Sequence, residues 1–333
     1  MNLSPYPWHR AWLAEHRVTV RERHHAWLMV GREGDGLAQA GLAVAASLLC
    51  EHPHDGVACG ECSSCRWFAG SVHPDFVRLA PEESDDDVAR LPTIKTDAAR
   101  GAISFMELSA STERGRVLLV DPATALSRES ANALLKAIEE PPANTRWILL
   151  ASRPAKLLPT IRSRVLKLAL PRPERDVALR WIRAENGTLS DPDRALANAD
   201  SAPLDVLANA GGDALEAKER LVHDLGNPRE LPTLSWGSWV EAGGKSQKRD
   251  RFALVLATLH DWLVDWARVR SGLAPSRALS DPAILAGLGA NLALAEGLRL
   301  RRELLRKLTL PDTTLSARLQ VEAILLDYRA KFA

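Results

Sequence analysis

All four cysteines of this 333-residue chain lie between Cys50 and Cys65, in the pattern Cys50-x8-Cys59-x2-Cys62-x2-Cys65. Isolated cysteines pack as small apolar residues and would scatter along a chain of this length. Gaps of two residues instead bring the sulfurs to one point, and four thiolates make a closed tetrahedral zinc shell. The spacing predicts a structural zinc site at Cys50, Cys59, Cys62 and Cys65, with no position left open for catalysis. Disulfides and an iron–sulfur cluster are the alternatives. The second is suggested by the Cys-x2-Cys-x2-Cys run, although no Cys-Pro follows at ferredoxin spacing. His52 and His54 could each replace a thiolate but read as polar loop residues.

The remaining composition bounds the class. A hydrophobic content of 46% with 26% charged residues is that of a soluble globular protein, and the length predicts two or three domains. The first residues, MNLSPYPWHR, contain no apolar run of the signal-peptide type. The longest apolar stretch, Leu42 to Cys50, is about half of what spans a bilayer. These readings predict a cytoplasmic protein, where reduced thiols favour metal sites over disulfides. A net charge of +1 argues neither for nor against nucleic acid. The acidic run Glu82 to Asp87 reads as a solvated loop, and Arg299, Arg301, Arg302, Arg306 and Lys307 as a solvent-facing helix surface.

Strand and helix patterns alternate over the first half. Strands are predicted at His25–Val30, Asp75–Leu79, Arg116–Val120, Arg146–Leu150 and Val165–Leu170. Helices are predicted at Leu37–Leu49, Asp97–Leu108 and Ser127–Glu140, with a short helical piece at Leu157–Ile161. In the clearest helix, Ala131, Leu134, Leu135 and Ile138 share one face and Pro141-Pro142 stop it. This alternation predicts an α/β domain with a parallel sheet and helices on both faces. After Pro171-Arg-Pro173 only helices are predicted, with short ones at Glu174–Asn186 and Ser190–Leu207. An Ala/Leu-rich helical region begins near Gly211-Gly212. Trp262 and Trp266, one helical turn apart, read as packing residues.

Gly31-Arg-Glu-Gly-Asp-Gly36 follows the first strand and opens a helix, the setting of a phosphate-binding loop. A working loop continues Lys-Ser/Thr, for phosphate and magnesium. Here those positions hold Leu37 and Ala38, which can do neither, and Glu33 and Asp35 add negative charge. The residues predict a nucleotide fold that binds no nucleotide. Asp121 ends a buried strand, and the following Pro122 cannot prepare an attacking water.

Several segments together carry a family resemblance. They are the degenerate glycine loop, the cysteine cluster, His73-Pro-Asp75, Val117–Asp121, Asn132-Ala-Leu-Leu-Lys-Ala-Ile-Glu-Glu-Pro-Pro142 and Ile161-Arg-Ser-Arg-Val165. Over residues 20 to 170 the chain resembles the AAA+ proteins of the bacterial DNA polymerase III clamp loader. The resemblance implies an AAA+ domain at 1–170 with a zinc module at 50–65, a helical lid at 171–208 and an all-α collar at 209–333. It implies a non-ATP-binding stator in a pentameric ring with motor subunits and the delta subunit, acting with the sliding clamp and primed DNA. It also implies that Arg164, with Ser163, reaches the ATP of a neighbouring motor subunit as an arginine finger. Val165 stands where the family has cysteine, and Arg162 is the rival for the finger. Competing readings are an ATP-binding motor subunit, a zinc-containing DNA-binding protein and an unrelated nucleotide hydrolase.

Overall fold

The computed structural model describes residues 3–18, 24–81, 93–189, 191–199, 201–209, 213–277, 279–309 and 316–333. The acidic run at 82–87 and the Gly211-Gly212 junction lie outside the described residues, as do the side chains of Arg306 and Lys307. The chain forms two compact units, Met1–Glu185 with Ala202–Leu204, and Asn186–Ser201 with Asp205–Ala333.

The first unit opens with helix α1 (Pro7–Val18), then β1 (Ala26–Val30), α2 (Leu37–Leu49) and α3 (Ser63–Ala69). It continues through β2 (Phe76–Leu79), α4 (Thr96–Glu107), β3 (Arg116–Val120), α5 (Arg128–Glu139) and β4 (Thr145–Ala151). It ends with α6 (Pro159–Arg162), β5 (Leu166–Ala169) and α7 (Arg175–Glu185). The strands form one parallel sheet in the order β2-β3-β4-β1-β5. Alternation along each strand divides the core into two layers. Trp27, Met29, Val117, Leu119, Ile148 and Leu150 face one layer, packed with Trp12 of α1, the apolar side of α2 and Phe68 of α3. Ala26, Leu28, Leu118, Val120, Trp147 and Leu149 face the other, with Met106 of α4, Leu134 and Ile138 of α5 and Ile161 of α6. Both faces of the sheet are covered, as the continuous apolar strands required.

Helix α1 is absent from the sequence-based expectations. Its buried residues, Trp8, His9, Trp12 and Leu13, follow a proline at the first helical position, a start signal that the weak overall hydropathy masks. The predicted strand at 75–79 begins one residue later, at Phe76, although the Asp75 carbonyl still accepts from the Val117 amide of β3 at 2.9 Å.

The stretch predicted helical from 190 to 207, all but Ala202–Leu204 of it in the second unit, is interrupted. Helix α8 (Pro192–Asn198) ends before Ser201, which has φ +62°, and α9 (Pro203–Asn209) restarts at a proline. The bundle then comprises α10 (Asp213–Gly226), α11 (Thr233–Glu241), α12 (Lys245–Arg270), α13 (Pro282–Gly287), α14 (Leu294–Thr309) and α15 (Ala317–Phe332). Trp262 and Trp266 are buried at its centre, as their spacing predicts. The Trp262 indole N–H donates to the Tyr328 hydroxyl at 2.9 Å, and that hydroxyl donates to the Leu225 carbonyl at 2.8 Å. Trp266 donates to the Leu288 carbonyl at 3.1 Å, so both buried indoles are satisfied. A side chain at Gly297 would collide with the Trp266 ring, which fixes how closely α14 approaches α12.

Candidate functional site

The four cysteines converge. Cys50 caps the C-terminus of α2, Cys62 is the N-cap of α3, and Cys65 lies in the first turn of α3. Gly60 (φ +82°) makes the tight turn that returns Cys62 toward Cys59. Sulfur separations are 3.5 Å for Cys50–Cys59, 4.0 Å for Cys50–Cys62 and 3.9 Å for Cys59–Cys65. All four sulfurs lie within 4.8 Å of one another. A tetrahedral ion with metal–sulfur bonds of about 2.3 Å places its ligands about 3.8 Å apart, so the set fits one. A disulfide needs about 2.05 Å, and all four thiols are free.

Backbone amides support charge on the sulfurs. Cys59 N–H donates to Cys50 Sγ at 3.3 Å and Cys65 N–H to Cys62 Sγ at 3.4 Å. Amides of Glu61 and Cys62 pull the Cys59 thiol down to about 6, whereas burial pushes Cys50 and Cys65 up. A bound cation supplies the charge that keeps such buried sulfurs deprotonated. His52 and His54 are exposed and outside the four-sulfur group.

The His73-Pro-Asp75 motif ties this module to the sheet. Ser64, in α3, donates to the Leu49 carbonyl at 2.7 Å and lies 2.7 Å from His73 Nε2. His73 Nδ1 accepts from the Asp75 N–H at 3.0 Å. The fully buried Asp75 carboxylate accepts from the Ser111 and Thr112 amides at 2.7 and 2.8 Å and faces Arg116 at 3.8 Å. Arg116 in turn donates to the Leu108, Ser109 and Pro74 carbonyls and stacks 4.4 Å over Phe105. A buried charge is stable only when paired and hydrogen-bonded in this way. The sequence identified the motif without a role for it, because its partners lie some 35 to 40 residues away.

The glycine loop is closed on itself. Asp35 N–H donates to the Arg32 carbonyl at 3.2 Å, Gly36 N–H to Glu33 at 2.8 Å and Leu37 N–H to Arg32 at 3.4 Å. A phosphate loop turns such amides toward its ligand; here they are spent internally. Leu37 is buried in the core and Ala38 is exposed. The Glu33 carboxylate accepts from Ser152 at 2.8 Å, and Asp35 is paired with Arg32 at 3.7 Å. Aromatic residues cover the loop. Trp8 donates its indole N–H to the Asp35 carbonyl at 2.8 Å, and the Tyr6 ring lies where a Gly36 side chain would point. Tyr6 stacks on Trp8 at 5.0 Å, and Trp181 of α7 meets both edge-on at 5.3 and 5.4 Å. His9 is fully buried beside Gly36, and among the described residues neither ring nitrogen has a partner; burial lowers its pKa to about 4. Sequence reasoning missed this aromatic cover together with α1.

Asp121, at the end of β3, is paired with Arg78 of β2 at 2.6 Å. It acts as the partner of a neighbouring strand's cation.

Ser163 and Arg164 follow α6. The Arg164 Nε–H donates to the Glu139 carboxylate at the end of α5, and Nη1 donates to the Thr160 carbonyl at 2.9 Å and Ser163 Oγ at 3.2 Å. Arg162 is exposed, and no side-chain bond holds it among the described residues.

A family model described as DNA polymerase III, delta subunit, matches residues 13–174. The DNA polymerase III subunit delta-prime of Pseudomonas aeruginosa is 33% identical over 272 residues, which cover 78% of this chain and 75% of that protein. The chain belongs to the delta-prime family. The delta-prime subunit of Escherichia coli is also 33% identical, over 81% of this chain and 78% of its own length. The family's similarity extends further afield: the DNA polymerase III subunit gamma of Buchnera aphidicola is 34% identical, but over only 44% of this chain and 38% of that protein. Membership assigns the chain to DNA polymerase III as one of its subunits. Among the described residues no helix is long and apolar enough to cross a membrane.

Proposed function

We propose that this delta-prime family member is the non-ATP-binding stator of a clamp loader. It works in the cytoplasm beside motor subunits and the delta subunit in a pentameric ring that places the sliding clamp on primed DNA. The observation that carries this reading is the closed phosphate loop, whose Asp35, Gly36 and Leu37 amides are used internally beneath Tyr6 and Trp8. The chain therefore has no catalytic centre of its own and serves a neighbour's. Arg164 is the finger, donating to phosphate in trans and offsetting the charge that develops during transfer. Zinc is the metal assigned to the four thiolates, where it folds a polar insert that lacks a core of its own.

The domain division in this reading is AAA+ at 1–170, lid at 171–208 and collar at 209–333. Exposed apolar residues of the bundle support an assembly role for the collar. Leu294, Leu298 and Leu305 share one side of α14, and Leu319 and Leu326 are a heptad apart on α15.

Arg164→Ala in a reconstituted loader tests the reading. ATP turnover at the neighbouring site should fall by about 10³-fold or more, with ring assembly unchanged. Unaltered DNA-stimulated turnover removes Arg164 from the site. Measurable ATP affinity of the isolated folded chain overturns the closed-loop argument.

A further inference from the structure

We infer that Glu139 is the positioning residue that aims Arg164, an inference that rests on reading Arg164 as the finger. A guanidinium has five N–H donors in a rigid plane. Three are engaged within the chain: Nε–H by Glu139, and both hydrogens of Nη1 by the Thr160 carbonyl and Ser163 Oγ. Among the described residues the two hydrogens of Nη2 meet no acceptor. Glu139 at Nε–H and the α6 turn at Nη1 thus hold the plane on either side of Nη2, and leave that nitrogen as its donor.

This grip distinguishes Arg164 from Arg162, which is exposed and unheld among the described residues. A free arginine must order its long side chain before it can meet a phosphoryl group; a held one has lost that freedom already. Glu139 gains little locally from the arrangement. It sits in the last turn of α5, where the helix dipole disfavours a carboxylate. Its partner side chain is 37% exposed and its own 44% exposed, so the pair adds little to folding. A carboxylate in an unfavourable position, spent on an arginine that keeps Nη2 for another acceptor, fits aiming better than structural support.

The orienting contact is a hydrogen bond to Nε–H, so an amide oxygen can replace the carboxylate. In the reconstituted loader, Glu139→Ala should lower kcat for DNA-stimulated ATP hydrolysis by about tenfold, with KM for ATP and assembly unchanged. Glu139→Gln should restore kcat to within about twofold of wild type, since its oxygen still accepts the bond. A purely structural contact would shift thermal stability or assembly without a kcat effect that glutamine rescues. Arg164→Ala is assayed alongside. If it leaves turnover intact, the finger reading fails and this inference with it. If Arg164→Ala collapses turnover while Glu139→Ala does not, or if alanine and glutamine impair it equally, only the positioning role is overturned.

Discussion

Replacing His9 by leucine should flatten the acid limb of this protein's stability. The ring is completely buried beside Gly36, neither nitrogen has a partner among the described residues, and burial holds its pKa at about 4. In the unfolded chain the same group titrates near 6.5. Between these values the unfolded state binds a proton that the folded state refuses, so stability rises with pH across the window. His9 therefore contributes its full share above about 6.5 and progressively loses it as pH falls toward about 4. The gap of about 2.5 pH units corresponds to about 3 kcal/mol in total, of which about 2 kcal/mol is lost between pH 7.5 and 5. Burial sets the direction of the His9 shift, and Asp35, next to Gly36, is paired with Arg32 at 3.7 Å. Leucine has similar volume and no proton to bind, and it removes two buried nitrogens without breaking a hydrogen bond. Urea unfolding of wild type and His9→Leu across pH 4.5 to 7.5 isolates the effect, since every other titrating group is common to both. The wild type should lose about 2 kcal/mol more than the variant on going from pH 7.5 to 5. Parallel pH profiles would show that the ring is not buried neutral, and would refute the packing of α1 against the loop.

Two further perturbations test the metal module and its attachment. Elemental analysis should find about one zinc per chain, lost in Cys62→Ser together with part of the thermal stability of the first unit; retention of zinc by that variant would overturn the four-thiolate assignment. Asp75→Asn leaves Arg116 buried without its countercharge and should cost about 3 kcal/mol by denaturant unfolding. A cost below about 1 kcal/mol would mean that the carbonyls around Arg116 suffice without the carboxylate.

Much of the α/β unit was legible because its signals are local. Apolar strands of the buried type at Ala26–Val30, Arg116–Val120 and Thr145–Ala151 alternate with helices, and that pattern alone fixes a parallel sheet covered on both faces. The start of α5 was readable as well, since Ser127 caps it by accepting from the Ser130 amide at 3.0 Å. Helix α1 was not, because its charged and aromatic residues give little apolar contrast until Trp8 and Trp12 have a sheet and a loop to pack against. The continuous helix expected from 190 to 207 was broken by prolines at 192 and 203, each of which fits best at the start of a helix.

The sequence by itself determined two chemical facts about this protein. Four thiols at short covalent spacing had to meet, and a loop carrying Leu37 and Ala38 had to lack the groups that hold phosphate and magnesium. Spacing and missing atoms are properties of the chain and survive any arrangement of the rest. Tertiary structure decided what those facts become. It spent the loop's own amides on Arg32 and Glu33, laid Tyr6 and Trp8 over them, and moored the cysteine module through His73, Asp75 and Arg116. It also set Arg164 against Glu139, 25 residues earlier in the chain. Such pairings depend on which strands neighbour one another and how helices lie across them, and neither periodicity nor composition encodes that order.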